Sequence, residues 1–182
     1  TMETAETHSM SMEFFTNPWM EHFFGDRAAD FLKSQLEDAV VFIPYGSMVD
    51  EFQHIVYDHP EMTPAQRKEE WKKLEHQYKP HLTYEEESPF YAEGGFWQRQ
   101  HHIYSYPFYY IDYVIAQTDA FQYKIWMQKD YKAAWESYLS FCQASASDFF
   151  TRMLKDAGLD SPFEPGTIRQ IAAGLEEIYD RM

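Results

Sequence analysis

Apolar residues recur three and four positions apart along nearly the whole chain and almost never alternate one by one, which is the spacing of a helix face rather than of a strand. Phe15, Trp19 and Phe23 repeat every fourth residue. Phe31, Leu32, Leu36, Val40, Val41 and Ile43 make a second stripe, and Trp71, Leu74 and Tyr78 a third. Chain breakers are sparse, with seven glycines and nine prolines in 182 residues. Hydrophobic residues make up 45% of the sequence and aromatics 19%, enough apolar surface to bury a core. The expected fold class is therefore all-α, a multi-helix domain, with residues 1–182 forming a single domain.

Helices are predicted over Ala5–Phe24, Arg27–Asp58, Ala65–Tyr78, Pro107–Met127, Tyr131–Ala144, Ser147–Ala157 and Thr167–Arg181. Pro18 should kink or restart the first near Asn17, and Pro44 and Gly46 should break or bend the second. Thr63-Pro64 opens the third, a charged surface helix, with a proline suited to the first turn. The stretch from about 79 to 106 carries Pro80, Pro89, Gly94 and Gly95 among aromatics and is expected to be irregular. A long irregular segment inside a compact domain is often functional.

Fifteen Lys and Arg stand against thirty Asp and Glu, a formal net charge of −15. That argues against a nucleic-acid partner, whose phosphates need a basic footprint, and against an anionic membrane surface. No apolar run is long enough to span a bilayer. Cys142 is alone, so no internal disulfide can form, as expected of a cytoplasmic protein. Thr1 to Glu6 already has helical spacing, and a longer polypeptide is expected to precede it.

Three constellations could carry chemistry. Glu6 and Glu13 are seven residues apart, nearly two full turns, so both carboxylates share one helix face about 10 Å apart along the axis. They cannot clamp one ion together, but one could ligate a metal while the other orients a neighbouring ligand. Spacing alone equally fits acidic residues favouring a helix dipole. The second group is His101-His102 with Tyr104, Tyr106, Tyr109, Tyr110 and Tyr113, behind a loop holding Gly94-Gly95. Imidazole and phenol groups aimed at one point are good donors to a developing oxyanion. An aromatic core stripe with its hydroxyls at the edge is the alternative. The third, Glu51-Phe52-Gln53-His54, has the Glu-x-x-His spacing of dimetal carboxylate bundles, but no second copy is present. A His-Glu-x-x-His motif is absent from the sequence.

These three stretches resemble a known family. Glu6-Thr7-His8-Ser9-Met10-Ser11-Met12-Glu13 resembles the segment that follows the His-Glu-x-x-His helix in the oligoendopeptidase F and thimet oligopeptidase family of gluzincin-type zinc peptidases. Phe96-Trp97-Gln98-Arg99-Gln100-His101-His102-Ile103-Tyr104-Ser105-Tyr106-Pro107-Phe108-Tyr109-Tyr110-Ile111-Asp112-Tyr113 is similar to the His/Tyr segment of the oligoendopeptidase F branch. Val49-Asp50-Glu51-Phe52-Gln53-His54, between them, also looks like that branch. The resemblance implies the helical C-terminal portion of a peptidase acting on short peptides. It implies Glu6 as third zinc ligand and Glu13 as the support of a zinc-bound His. His102 with Tyr104, Tyr109 and Tyr113, or His101 with Tyr106, Tyr110 and Tyr113, would bind the tetrahedral intermediate. Tyr104, Gly94 and Gly95 would meet the substrate backbone. The two zinc-binding histidines and the catalytic Glu of the family are missing, and would lie in an upstream portion. The chain alone is then expected to be inactive and to hold no zinc tightly. A non-catalytic helical interaction domain is the alternative.

Overall fold

The computed structural model describes residues 1–84, 88–144 and 147–182. From the N-terminus the helices are α1 (Met2–Phe15), α2 (Glu21–Phe24), α3 (Ala28–Asp58), α4 (Pro64–Tyr78), α5 (Pro89–Ala92), α6 (His101–Ser105), α7 (Tyr110–Lys129), α8 (Tyr131–Gln143), α9 (Phe150–Ala157) and α10 (Thr167–Tyr179). Short 3-10 turns occupy Asn17–Trp19, Gly25–Arg27 and Phe96–Arg99. There is no strand among the described residues, and the fold is all-α. None of the described helices is long and apolar enough to cross a membrane. The chain divides into two compact units, one of Thr1–Val40 with Ile115–Met182 and one of Val41–Val114.

In the first unit α1 docks on α8 through aromatic rings. Phe15, almost fully buried, lies 5.2 Å from Trp135, 4.9 Å from Tyr138 and 5.6 Å from Tyr123 of α7. Burying a Phe side chain stabilises by about 1.5–3 kcal/mol. The Tyr138 hydroxyl donates to the His8 carbonyl at 3.0 Å. Phe14 is buried beside Phe15, and the remaining buried positions of α1 are polar, Thr4, Thr7 and Ser11. α9 stops where its pattern says it should: Gly158 takes the left-handed conformation, and Leu159 N–H returns to the Leu154 carbonyl. Ile171, Leu175 and Ile178 of α10 are buried, and the Tyr179 hydroxyl donates to Glu37 at 2.6 Å.

The second unit has its own core of Met48, Val49, Phe52, Trp71, Leu74 and Trp97. The Phe52 ring sits 5.1 Å from Trp71 and 5.3 Å from Trp97. α4 begins with a full capping box, Thr63 and Gln66 each accepting from the other's backbone N–H. The Tyr78 hydroxyl donates to Glu51 at 2.5 Å, which raises the Tyr78 pKa to about 12.

The interruption expected near Asn17 is present: α1 ends at Phe15, Pro18 enters a 3-10 turn, and the chain resumes as α2 in a different register. Three other expectations change. Trp19 is half exposed and Phe23 is 74% exposed, so neither continues the Phe15 stripe. α3 runs unbroken through Pro44 and Gly46. Pro44 costs the Val40 carbonyl its helical donor, but buried Leu36 on one side and Met48, Val49 and Phe52 on the other hold the helix together. Gly46 is required there, since a Cβ would run into the Val114 side chain. Val40 and Val41 face outward, 45% exposed each.

Candidate active site

Within the second unit, the segment from Gly94 to Tyr113 is held in place at four points. Gly94 has φ +79°, and a Cβ on it would run into the Lys68 carbonyl oxygen of α4. A Cβ on Gly95 would crowd the Phe90 carbonyl in the same way. Both glycines therefore have a packing requirement of their own. The turn Phe96–Arg99 then buries Trp97 against Phe52. Gln100 is extended and caps α6, which carries His101 and His102. Phe108 reverses the chain into α7 with φ +62°, a left-handed conformation that a bulky residue adopts only when held. Its N–H donates at 2.9 Å to Oε1 of Gln53, itself buried on α3. The Phe108 ring packs 4.9 Å from both His54 and Tyr57.

That path gathers a ring of phenols around one imidazole. Measured between ring centroids, His102 lies 5.0 Å from Tyr110, 5.6 Å from Tyr113, 6.2 Å from Tyr109 and 6.3 Å from Tyr106. Tyr113 in turn stands 5.1 Å from Tyr109 and 5.5 Å from Tyr110. His101 is exposed and comes within 6.3 Å of His102 and of Tyr106. Tyr104 is stacked 6.0 Å from Trp97 and is 57% exposed. Burial and the neighbouring Tyr113 hold the Tyr110 hydroxyl above its ordinary pKa, with a hydrogen bond from Gln100 acting the other way.

Two further residues belong to this cluster. The side-chain nitrogen of Gln100 lies 2.9 Å from Nδ1 of His102, and the Tyr45 hydroxyl donates to Gln100 Oε1 at 2.6 Å. Gln100 could have been noticed as the residue before the His pair. Tyr45 is 55 positions away on α3, and no local pattern points to it. Phe108 and Gln53 were equally hidden, although Pro107 hints at a turn.

Glu6 and Glu13 both lie on α1 in the first unit. The Ser9 hydroxyl donates to Glu6 Oε2 at 2.9 Å. Glu13 is exposed as a residue, yet desolvation by surrounding atoms pushes its carboxyl pKa up. Among the described residues no three His, Cys, Asp or Glu side chains are grouped so as to hold an ion. Glu6 can therefore offer one carboxylate to a metal site but cannot form that site with the other described residues. Glu51 accepts from Tyr78, and His54 pairs with Asp50 at 3.5 Å, so the Glu-x-x-His pair is used for packing on α3 and α4. Of the irregular stretch expected over 79–106, residues 85–87 lie outside the described residues; the rest includes α5, a 3-10 turn and all of α6.

The sequence profile of peptidase family M3 matches residues 1–173. Three solved structures cover the whole chain. One, described as an oligoendopeptidase F, has 48% identity and a TM-score of 0.97. PZ peptidase A with an inhibitor has 46% identity and a TM-score of 0.97. An oligoendopeptidase F from Bacillus anthracis has 37% identity and a TM-score of 0.84. The chain spans 32%, 32% and 29% of their lengths, about a third of each. None of the curated proteins matches it. With nearly its full length matched by the family profile, the chain belongs to peptidase family M3.

Proposed function

We propose that this chain is the C-terminal part of a cytoplasmic zinc-dependent oligoendopeptidase that hydrolyses short peptides. In the complete enzyme Glu6 is the third zinc ligand, beside two upstream histidines, and Glu13 orients one of them. Bound zinc supplies Lewis acidity to the scissile carbonyl and lowers the pKa of a bound water. His102 donates a hydrogen bond to the tetrahedral oxyanion. Tyr113 and Tyr109 are the first candidates among the phenols to share that task, with His101, Tyr106 and Tyr110 as the other set. Tyr104, Gly94 and Gly95 border the path of the substrate backbone. The observation that carries this is the His102 imidazole enclosed by Tyr106, Tyr109, Tyr110 and Tyr113 at 5.0–6.3 Å, in a chain of a peptidase family. Such donors act on charge that develops in the transition state, where they matter most.

The test is made in the full-length protein. His102→Gln is expected to lower kcat by about 100-fold with zinc content unchanged, as loss of one oxyanion donor does. Glu6→Ala is expected to abolish zinc binding. Stoichiometric zinc in Glu6→Ala, or full turnover in His102→Gln, would overturn the assignment. The 182-residue chain alone should show no peptidase activity and no sub-micromolar zinc affinity.

A further inference from the structure

The hydrogen bonds around Gln100 carry information about where the proton of His102 resides. The Tyr45 hydroxyl is 2.6 Å from one side-chain terminus of Gln100, and His102 Nδ1 is 2.9 Å from the other. A 2.6 Å separation suits O–H···O and is short for N–H···O, whereas 2.9 Å is ordinary for an N–H donor. The oxygen of the amide therefore faces Tyr45 and its NH2 group faces His102. Burial keeps the Tyr45 hydroxyl protonated, so it remains a donor to that oxygen. An amide N–H can only donate, so the Nδ1 it meets must be the bare, accepting nitrogen of the ring. In a neutral imidazole the proton is then on Nε2.

We propose that Gln100, oriented by Tyr45, is a positioning residue that holds His102 in the tautomer protonated on Nε2. This rests on the reading of His102 as the oxyanion donor: the lock presents an N–H, rather than a lone pair, on the side of the ring away from Gln100. The orientation of the amide is secured from outside the His/Tyr segment, because Tyr45 is on α3 and its ring is packed 5.9 Å from Tyr110 and 6.1 Å from Phe96. The Lys79 ammonium lies 5.2 Å from the centroid of the same ring. Loss of Tyr45's hydroxyl frees the amide to turn over and offer its oxygen to Nδ1, which favours the opposite tautomer.

The experiment is nitrogen-15 NMR of the full-length protein labelled at histidine, with the His102 signals identified by their loss in His102→Gln. The wild type is expected to show an unprotonated Nδ1 and a protonated Nε2. In Gln100→Glu the carboxylate can only accept, so Nδ1 becomes protonated. In Tyr45→Phe, a milder change, a mixture of the two tautomers is expected. Turnover by Gln100→Glu should fall at least tenfold with KM little changed. A wild-type ring protonated on Nδ1, or an unchanged tautomer in both variants, would overturn the proposal. Should His102→Gln keep full turnover while the tautomer still switches in Gln100→Glu, the oxyanion assignment fails and the lock stands.

Discussion

Asp119→Asn should remove much of the decline of stability with rising pH above about pH 4. Asp119 lies on α7 with none of its surface exposed. The Thr7 hydroxyl is 3.1 Å from Asp119 Oδ2 and 2.8 Å from the Glu3 carbonyl oxygen. One hydroxyl carries one hydrogen and cannot donate to both. A protonated Asp119 resolves the conflict: its O–H donates to Thr7, and Thr7 donates to Glu3. Its other oxygen, Oδ1, has no hydrogen-bond partner among the described residues, which a neutral carbonyl tolerates far better than a carboxylate. Burial accordingly holds the carboxyl well above its ordinary 3.8, with the Thr7 contact acting the other way. The folded state thus keeps a proton that the unfolded chain has released. Stability from this group is full below pH 3.8 and is lost as pH rises toward the folded pKa. One linked proton corresponds to about 1.4 kcal/mol per pH unit across that window. The amide introduced by Asp119→Asn can donate to Thr7 but does not titrate, so the variant should differ from wild type by a pH-independent offset of about 1 kcal/mol plus that slope. Urea unfolding of both proteins at several pH values between 4 and 7 measures the difference, in which all other groups cancel. Parallel curves would show that Asp119 is ionised in the fold and that the hydrogen count was misassigned.

Lys124 should act in the opposite range. Burial lowers its pKa to about 8, with its ammonium donating to Asn17, so between pH 8 and 10.5 the unfolded chain holds a proton that the folded one has lost. Stability should rise through that window by about 3 kcal/mol relative to a Lys124→Met variant, measured by urea midpoints at its two ends. Gly94→Ala should destabilise by roughly 1–2 kcal/mol or more, because a side chain at positive φ is strained and its Cβ meets the Lys68 carbonyl; an unchanged melting temperature would contradict that.

What the sequence revealed was mainly local. α4 was legible at both levels: Thr63-Pro64 signalled its start, and Trp71 and Leu74 are its buried positions. The left-handed Gly158 ends α9 as its position suggests. Part of the His/Tyr cluster was legible too: Tyr110 and Tyr113 are three residues apart on α7 and their rings are neighbours, whereas His102 reaches them from α6 across the reversal at Phe108. Illegible features depended on partners far along the chain. Pro44 reads as a break until the burial of Met48, Val49 and Phe52 is known. Trp19 and Phe23 read as a buried stripe because periodicity cannot see the register shift at Pro18. The polar stripe of Thr4, Thr7 and Ser11 has no hydrophobic signature at all, and Thr7 is matched by a residue 112 positions away.

The chemistry of the phenols narrows what the aromatic cluster can contribute. A tyrosine whose pKa is pushed up by burial, as those of Tyr45 and Tyr110 are, stays protonated throughout the neutral range. It can give a hydrogen bond but cannot take a proton, since accepting one would first require ionisation. A neutral His102 with Nδ1 occupied by Gln100 is limited in the same way, offering one N–H and no free lone pair on the ring. Tyr45, Tyr110 and His102 arranged this way are suited to stabilising negative charge rather than to activating a water. In the proposed peptidase, the proton acceptor would therefore have to be a group other than Tyr45, Tyr110 and His102.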